Sequence, residues 1–107
     1  MYALSFDMNI ADLQQSYGAP YNGAYYEIKR TLVGLGFYWV QGSTYMTNSD
    51  NLTNLFQAIE ALKKIDWFRK SVRDIRGYRV EEWSDFTPII KNQRSSILRQ
   101  SSAQEFL

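Results

Sequence analysis

The chain has 107 residues and a formal net charge of +1, and 45% of it is hydrophobic and 16% aromatic. That suffices for one globular domain with a modest core and is too apolar for a disordered chain. With no cysteine and no histidine, it excludes disulfides, thiolate chemistry, Ser-His-Asp nucleophiles, a paired-histidine ribonuclease mechanism and His-ligated metals. Any chemistry here runs on carboxylates, hydroxyls, cations or an oxygen-bound divalent metal.

Residues Tyr2 to Met8 alternate as a half-buried strand does. Leu4, Phe6 and Met8 fall on one face, with Ala3, Ser5 and Asp7 on the other. Asp7 is an awkward residue there, because Asp has poor strand propensity and a buried charge needs a partner or a metal. A plain turn start in water is the alternative reading. Asn9 to Pro20 reads as irregular, with one helical turn at Ile10, Ala11 and Leu13 before Tyr17-Gly18-Ala19-Pro20.

Tyr21 to Leu35 reads as a helix with the stripe Tyr25, Ile28, Leu32 and Leu35, ended by Gly34 and Gly36. Phe37 to Gln41 and Ser43 to Thr47 are strands joined at Gly42 in a tight hairpin. Asn48-Ser49-Asp50 offers caps for a helix carrying Leu52, Leu55, Phe56, Ile59 and Leu62, which runs to about Ile65. A second short helical piece starts at Trp67 and Phe68 and runs through Val72; Gly77 interrupts, and Tyr78 to Trp83 alternates as the last strand. Phe86, Pro88, Ile89 and Ile90 form a small apolar patch, and the Ser- and Gln-rich stretch from Asn92 to Leu107 reads as a mobile tail outside a domain of residues 1–91.

The order β-α-β-β-α-β is the ferredoxin-like arrangement of an α+β protein. It implies an antiparallel sheet in the order four, one, three, two, with two helices on one face and a C-terminal extension. The end of the first strand then lies between the starts of the third and fourth. Ser43, Thr44 and Tyr45 are expected to approach Asp7 from one side, and Arg76, Tyr78 and Arg79 from the other. The aromatics on the remaining sheet face call for a cover, such as a two-fold homodimer that brings two copies of Asp7 near one axis.

Charge is uneven. Residues 1–62 carry Lys29 and Arg30 against Asp7, Asp12, Glu27, Asp50 and Glu60, a net of −3. Residues 63–79 carry Lys63, Lys64, Arg69, Lys70, Arg73, Arg76 and Arg79 against Asp66 and Asp74, a net of +5. Such a segment is a footprint for an anion such as phosphate, or an ordinary solvated helix face. No apolar run approaches the ~18 residues of a membrane span and no signal-peptide pattern opens the chain, so a cytoplasmic protein is expected.

Met1-Tyr-Ala-Leu-Ser-Phe-Asp7, Gly36-Phe-Tyr-Trp-Val-Gln-Gly-Ser-Thr-Tyr45 and Trp67-Phe-Arg-Lys-Ser-Val-Arg-Asp-Ile-Arg76 closely resemble the virulence-associated protein D (VapD) family over residues 1–90. The resemblance implies a small ferredoxin-like dimer with endoribonuclease activity, in some members a toxin held by a cognate antitoxin. That family is also structurally similar to the small CRISPR-associated nucleases of the spacer-acquisition complex, which carry an Asp at the end of the first strand and a Val-Gln-x-Ser pattern matched here by Val40-Gln41-Gly42-Ser43. On that resemblance Asp7 is carried over as the catalytic carboxylate and Ser43 as its neighbour.

In this reading Asp7 acts as a base on the ribose 2′-hydroxyl or holds Mg²⁺, and Ser43 orients it or the phosphate. Lys70, Arg73, Arg76 and Arg79 neutralise the RNA backbone, and Tyr45 or Tyr78 stacks on an unpaired base. The competing reading is a non-catalytic RNA-binding or protein-interaction dimer.

Overall fold

The computed structural model describes residues 1–92. In chain order these form β1 (Tyr2–Met8), α1 (Ile10–Ser16), α2 (Asn22–Gly34), β2 (Tyr38–Gln41), β3 (Thr44–Thr47), α3 (Leu52–Lys63), α4 (Asp66–Ser71), β4 (Val72–Arg79) and α5 (Thr87–Lys91). The strands make one antiparallel sheet ordered β2-β3-β1-β4. This is the ferredoxin-like α+β arrangement expected. The polar tail expected from Asn92 lies, beyond Asn92 itself, outside the described residues.

Burial follows the alternation of β1. Leu4, Phe6 and Met8 join Leu13 of α1, Ala24, Ile28 and Leu32 of α2, Leu55, Ala58 and Leu62 of α3, and Phe68 of α4 in one core. Helices α1 to α4 therefore cover the same sheet face. The capping follows from short polar side chains: Asn51 accepts from the Thr53 N–H at 2.9 Å, and Asn9 from the Asp12 N–H at 3.0 Å. With that cap, and Asp12 in its first turn, the segment expected to make a single turn becomes the seven-residue helix α1. Gly36 and Gly42 adopt positive φ of 90° and 49°, closing α2 and the β2–β3 hairpin.

The last strand corrects the sequence reading. It was expected at Tyr78–Trp83 with Gly77 as the break, but β4 runs from Val72 to Arg79 with Gly77 inside it. Gly77 pairs with Leu4 on the helix-covered face. A Cβ there would stand 2.8 Å from Leu55 Cδ2, 3.3 Å from Cδ1 and 3.4 Å from Cγ. The glycine lets α3 approach the strand backbone.

Gly77→Val is accordingly expected to destabilise the domain by about 1–3 kcal/mol, read as a lower urea midpoint. Leu55→Ala in the same chain should cost less than it does in the wild type, because it opens the space that the valine needs. Additive losses would mean that the two positions do not touch.

Beyond Arg79 the chain leaves the sheet and returns across its other face. Ala3, Met46 and Tyr78 of the sheet and Trp83, Phe86 and Ile90 of the returning segment line a groove of about 680 Å³. The cover is loose, since Trp83, Phe86, Ile89 and Ile90 all remain largely exposed.

Candidate active site

Three backbone contacts fix the end of β1. The Asn9 N–H donates to the Ser71 carbonyl at 2.8 Å, tying β1 to the end of α4. The Phe6 N–H donates to the Ser43 carbonyl at 3.2 Å, tying it to the hairpin. On the third side β4 pairs along the whole of β1, with Phe6 opposite Ile75, Asp7 opposite Asp74 and Met8 opposite Val72. Arg73 is therefore an extra residue, a β-bulge of the kind that re-aims a side chain.

The bulge turns the Arg73 guanidinium to Asp7, with Nη1 3.5 Å from Oδ2. Asp74, directly across from Asp7, is held by Arg76 Nε at 3.2 Å. Two carboxylates thus face each other across neighbouring strands, each with its own arginine. Like charges so placed repel, and the arginines offset that repulsion. Asp7 is 62% exposed and its Arg73 partner 61%, so the cluster is open to a ligand. Tyr25 stands near enough to feel Asp7: burial pushes its phenol above the ordinary tyrosine value, and the charges of Tyr21 and Asp7 push in the same direction.

Ser43 reaches the site through its backbone, and among the described residues no hydrogen bond joins its hydroxyl to Asp7. Next along the sheet, Ser5 Oγ lies 3.0 Å from Thr44 Oγ1 and 2.8 Å from Tyr78 Oη. This hydroxyl chain crosses three strands on the face that carries Asp7. Arg76 pairs with Ser5 and Tyr78 with Ala3, one and two steps from the Asp7–Asp74 pair on that face.

Three expected RNA contacts lie elsewhere. Tyr45 pairs with Leu4 on the helix-covered face, is 4% exposed and stacks on Phe6 at 6.4 Å and 11°. Its ring belongs to the core, and burial raises its phenol pKa. Arg79 pairs with Tyr2 at the opposite end of β4, about 17 Å from the Asp74 level at ~3.3 Å per residue, and contacts Glu81 at 3.4 Å.

Lys70 is on α4, where it meets Asp66 at 3.0 Å beside Arg69 at 2.6 Å. The Lys70 hydrogen bond, ahead of an opposing desolvation effect and helped by the Lys70 and Arg69 charges, lowers the Asp66 pKa. The basic segment is therefore divided into Lys63 and Lys64 at the end of α3, a helix pair held by Asp66, an arginine pair at Asp7 and Asp74, and a far-end arginine.

Asp74 escaped the sequence reading. Its signal was available only once β4 starts at Val72, because counting back from the Phe6–Ile75 pair then places it opposite Asp7. Among the described residues no three of His, Cys, Asp or Glu gather as a metal-binding group. Asp7 and Asp74 supply two carboxylates, which fits the way Mg²⁺ sits on one or two protein carboxylates plus substrate phosphate oxygens. None of the described helices is long and apolar enough to cross a membrane.

These features define a small ferredoxin-like α+β protein with an open carboxylate–arginine cluster at one sheet end, a donor set suited to phosphate chemistry. The chain is 57% identical over 91 residues to Endoribonuclease VapD of Dichelobacter nodosus, a match covering 85% of this chain and 98% of that protein. It is 50% identical over 94 residues to Endoribonuclease VapD of Helicobacter pylori, covering 86% and 100% of the two chains. With Endoribonuclease VapD 1 of Riemerella anatipestifer it shares 49% identity over 89 residues, covering 83% and 100%. No family model matches the chain. The chain belongs to the endoribonuclease VapD family.

Proposed function

We propose that this chain is an endoribonuclease that cleaves single-stranded RNA with Asp7 as its catalytic carboxylate, acting as the toxin of a toxin–antitoxin pair. The observation that carries the proposal is the strand-end cluster, with Asp7 opposite Asp74 and Arg73 3.5 Å from Asp7. Breaking a phosphodiester needs a group that takes a proton from the attacking oxygen and cations that meet the charge growing on phosphorus. Asp7 is the proton acceptor in this reading. Arg73 and Arg76 are positioned to meet the phosphate oxygens once substrate displaces their carboxylate partners.

The names of the relatives support RNA as the substrate. Bound to Asp7 and Asp74, Mg²⁺ would supply further charge stabilisation at phosphorus. The half-exposed Tyr78 borders the arginines and, unlike the buried Tyr45, is open to a base. The loosely covered sheet face, with Trp83, Phe86, Ile89 and Ile90 outward, is the surface for a second copy in a homodimer and for a cognate antitoxin.

Purified protein incubated with short single-stranded RNAs of defined sequence tests the activity. Internal cleavage is expected; RNA that stays intact at micromolar enzyme overturns the proposal. Mapping the ends then separates the two attacks, since a 2′,3′-cyclic phosphate marks attack by the ribose and a 5′-phosphate attack by water. Rates with and without EDTA report whether a metal takes part.

A further inference from the structure

We propose that the pocket between Tyr26, Lys29 and Trp39 is a subsite that stacks one unpaired RNA base beside the Asp7 cluster. The inference rests on the endoribonuclease reading above and adds where the substrate strand lies.

The pocket has a volume of about 310 Å³, at the small end of ligand sites. Its floor is the buried ring pair Phe6 and Tyr45, with Tyr25 beside them. Tyr26 and Trp39 form its walls and are 63% and 51% exposed. Neither outward aromatic is needed by the core. Trp39 is nonetheless fixed, since its indole N–H donates to the Gly42 carbonyl across the hairpin at 2.8 Å. A ring held this way loses little freedom when a base stacks on it.

Charge selects the ligand. Lys29 and Arg30 are the only basic side chains in residues 1–62, and each sits on one of these two rings. Lys29 Nζ lies 5.8 Å from the Trp39 centroid, and the Arg30 guanidinium lies 5.6 Å from that of Tyr26. Helical spacing brings them there, because Lys29 and Arg30 follow Tyr26 by three and four residues. Exposed aromatic faces with a cation at each fit a nucleobase with its phosphate on either side.

The pocket sits at the same end of β1 as the catalytic cluster, on the helix-covered side of the sheet. Phe6 and Gly42, which line it, each precede a site residue, Asp7 and Ser43, and the Asp7 carboxylate lies across the strand from the Phe6 ring. Tyr25, another lining residue, lies within the field of the Asp7 carboxylate. A strand with one base in this pocket would pass its neighbouring phosphodiester toward Asp7 and Arg73. The stacking role expected of Tyr45 thus moves to the rings above it.

Affinity is measured on the Asp7→Asn chain with a fluorescently labelled single-stranded RNA. Adding Trp39→Ala is expected to weaken binding by about 5- to 150-fold, and Trp39→Phe to retain most of it, with unchanged thermal melting in both. An RNA carrying one abasic nucleotide, moved position by position, should show one position whose loss matches that of Trp39→Ala and vanishes in that variant. Lys29→Gln should reduce the salt slope by about one.

Equal binding by Trp39→Ala, or an abasic penalty that persists in it, overturns the subsite while leaving RNA cleavage by the wild type intact. A change of oligomeric size on Trp39→Ala without loss of RNA affinity overturns it too, and assigns the face to protein contact. A wild type that neither binds nor cuts RNA overturns the endoribonuclease reading itself.

Discussion

Asp7→Asn is expected to lower RNA cleavage by about 10²- to 10⁴-fold, the range of a lost general acid–base group, while leaving the fold intact. The side chain is more than half exposed, and its ion pair with Arg73 is long and solvated, which limits the stability change to within ~0.5 kcal/mol. The lost Arg73 ion pair and the relieved repulsion from Asp74 across the strands act in opposite directions, so the net change is near zero. A residue that is neutral or costly for folding and essential for turnover is what a functional carboxylate looks like. Initial rates on a defined RNA, set beside a thermal melt, give both halves of the result. In cells the same variant should relieve any growth arrest caused by the wild type. Full cleavage by Asp7→Asn would remove Asp7 from the mechanism and return it to an ordinary strand end.

Phe68→Ala carries the largest expected cost in stability, about 3–5 kcal/mol, against total domain stabilities of ~5–15 kcal/mol. Phe68 is 3% exposed, meets Phe6 edge-to-face at 5.6 Å and 76°, and lies 6.4 Å from the Trp67 ring at 71°. Its loss opens a cavity beneath the residue that precedes Asp7. It also loosens α4, which passes directly into the bulge carrying Arg73 and Asp74. Denaturant unfolding measures the first effect. Cleavage at a temperature where the variant is still folded measures the second, and a drop there beyond the unfolded fraction is expected. Phe68→Leu, which fills most of the volume, should lose far less. A Phe68→Ala midpoint within experimental error of the wild type would mean that this ring does not hold α4 to the sheet.

Local patterns determined much of this protein. The alternation from Tyr2 to Met8, the stripes of α2 and α3 and the glycine at the hairpin place those elements within a residue or two of their observed bounds. Their order implies the ferredoxin-like sheet, and with it the placement of Asp7 at a strand end near the hairpin. The stretches around Asp7, Ser43 and Arg73 point to the family that the relatives confirm.

Two features depended on residues far apart in the chain, and only the tertiary structure decided them. Gly77 reads locally as a break, but Leu55 of α3 packs onto it, so the strand runs through it and begins at Val72. That start moves Arg79 to the far end and brings Asp74 opposite Asp7. Tyr45 reads as a strand aromatic free to face either way, until pairing with Leu4 turns it into the core. Side chains alternate between faces at every residue, so register assigns each one to core or site, and register is set by partners that no local window contains. The carboxylate at the end of β1 was visible in the sequence; the groups around it belong to the fold.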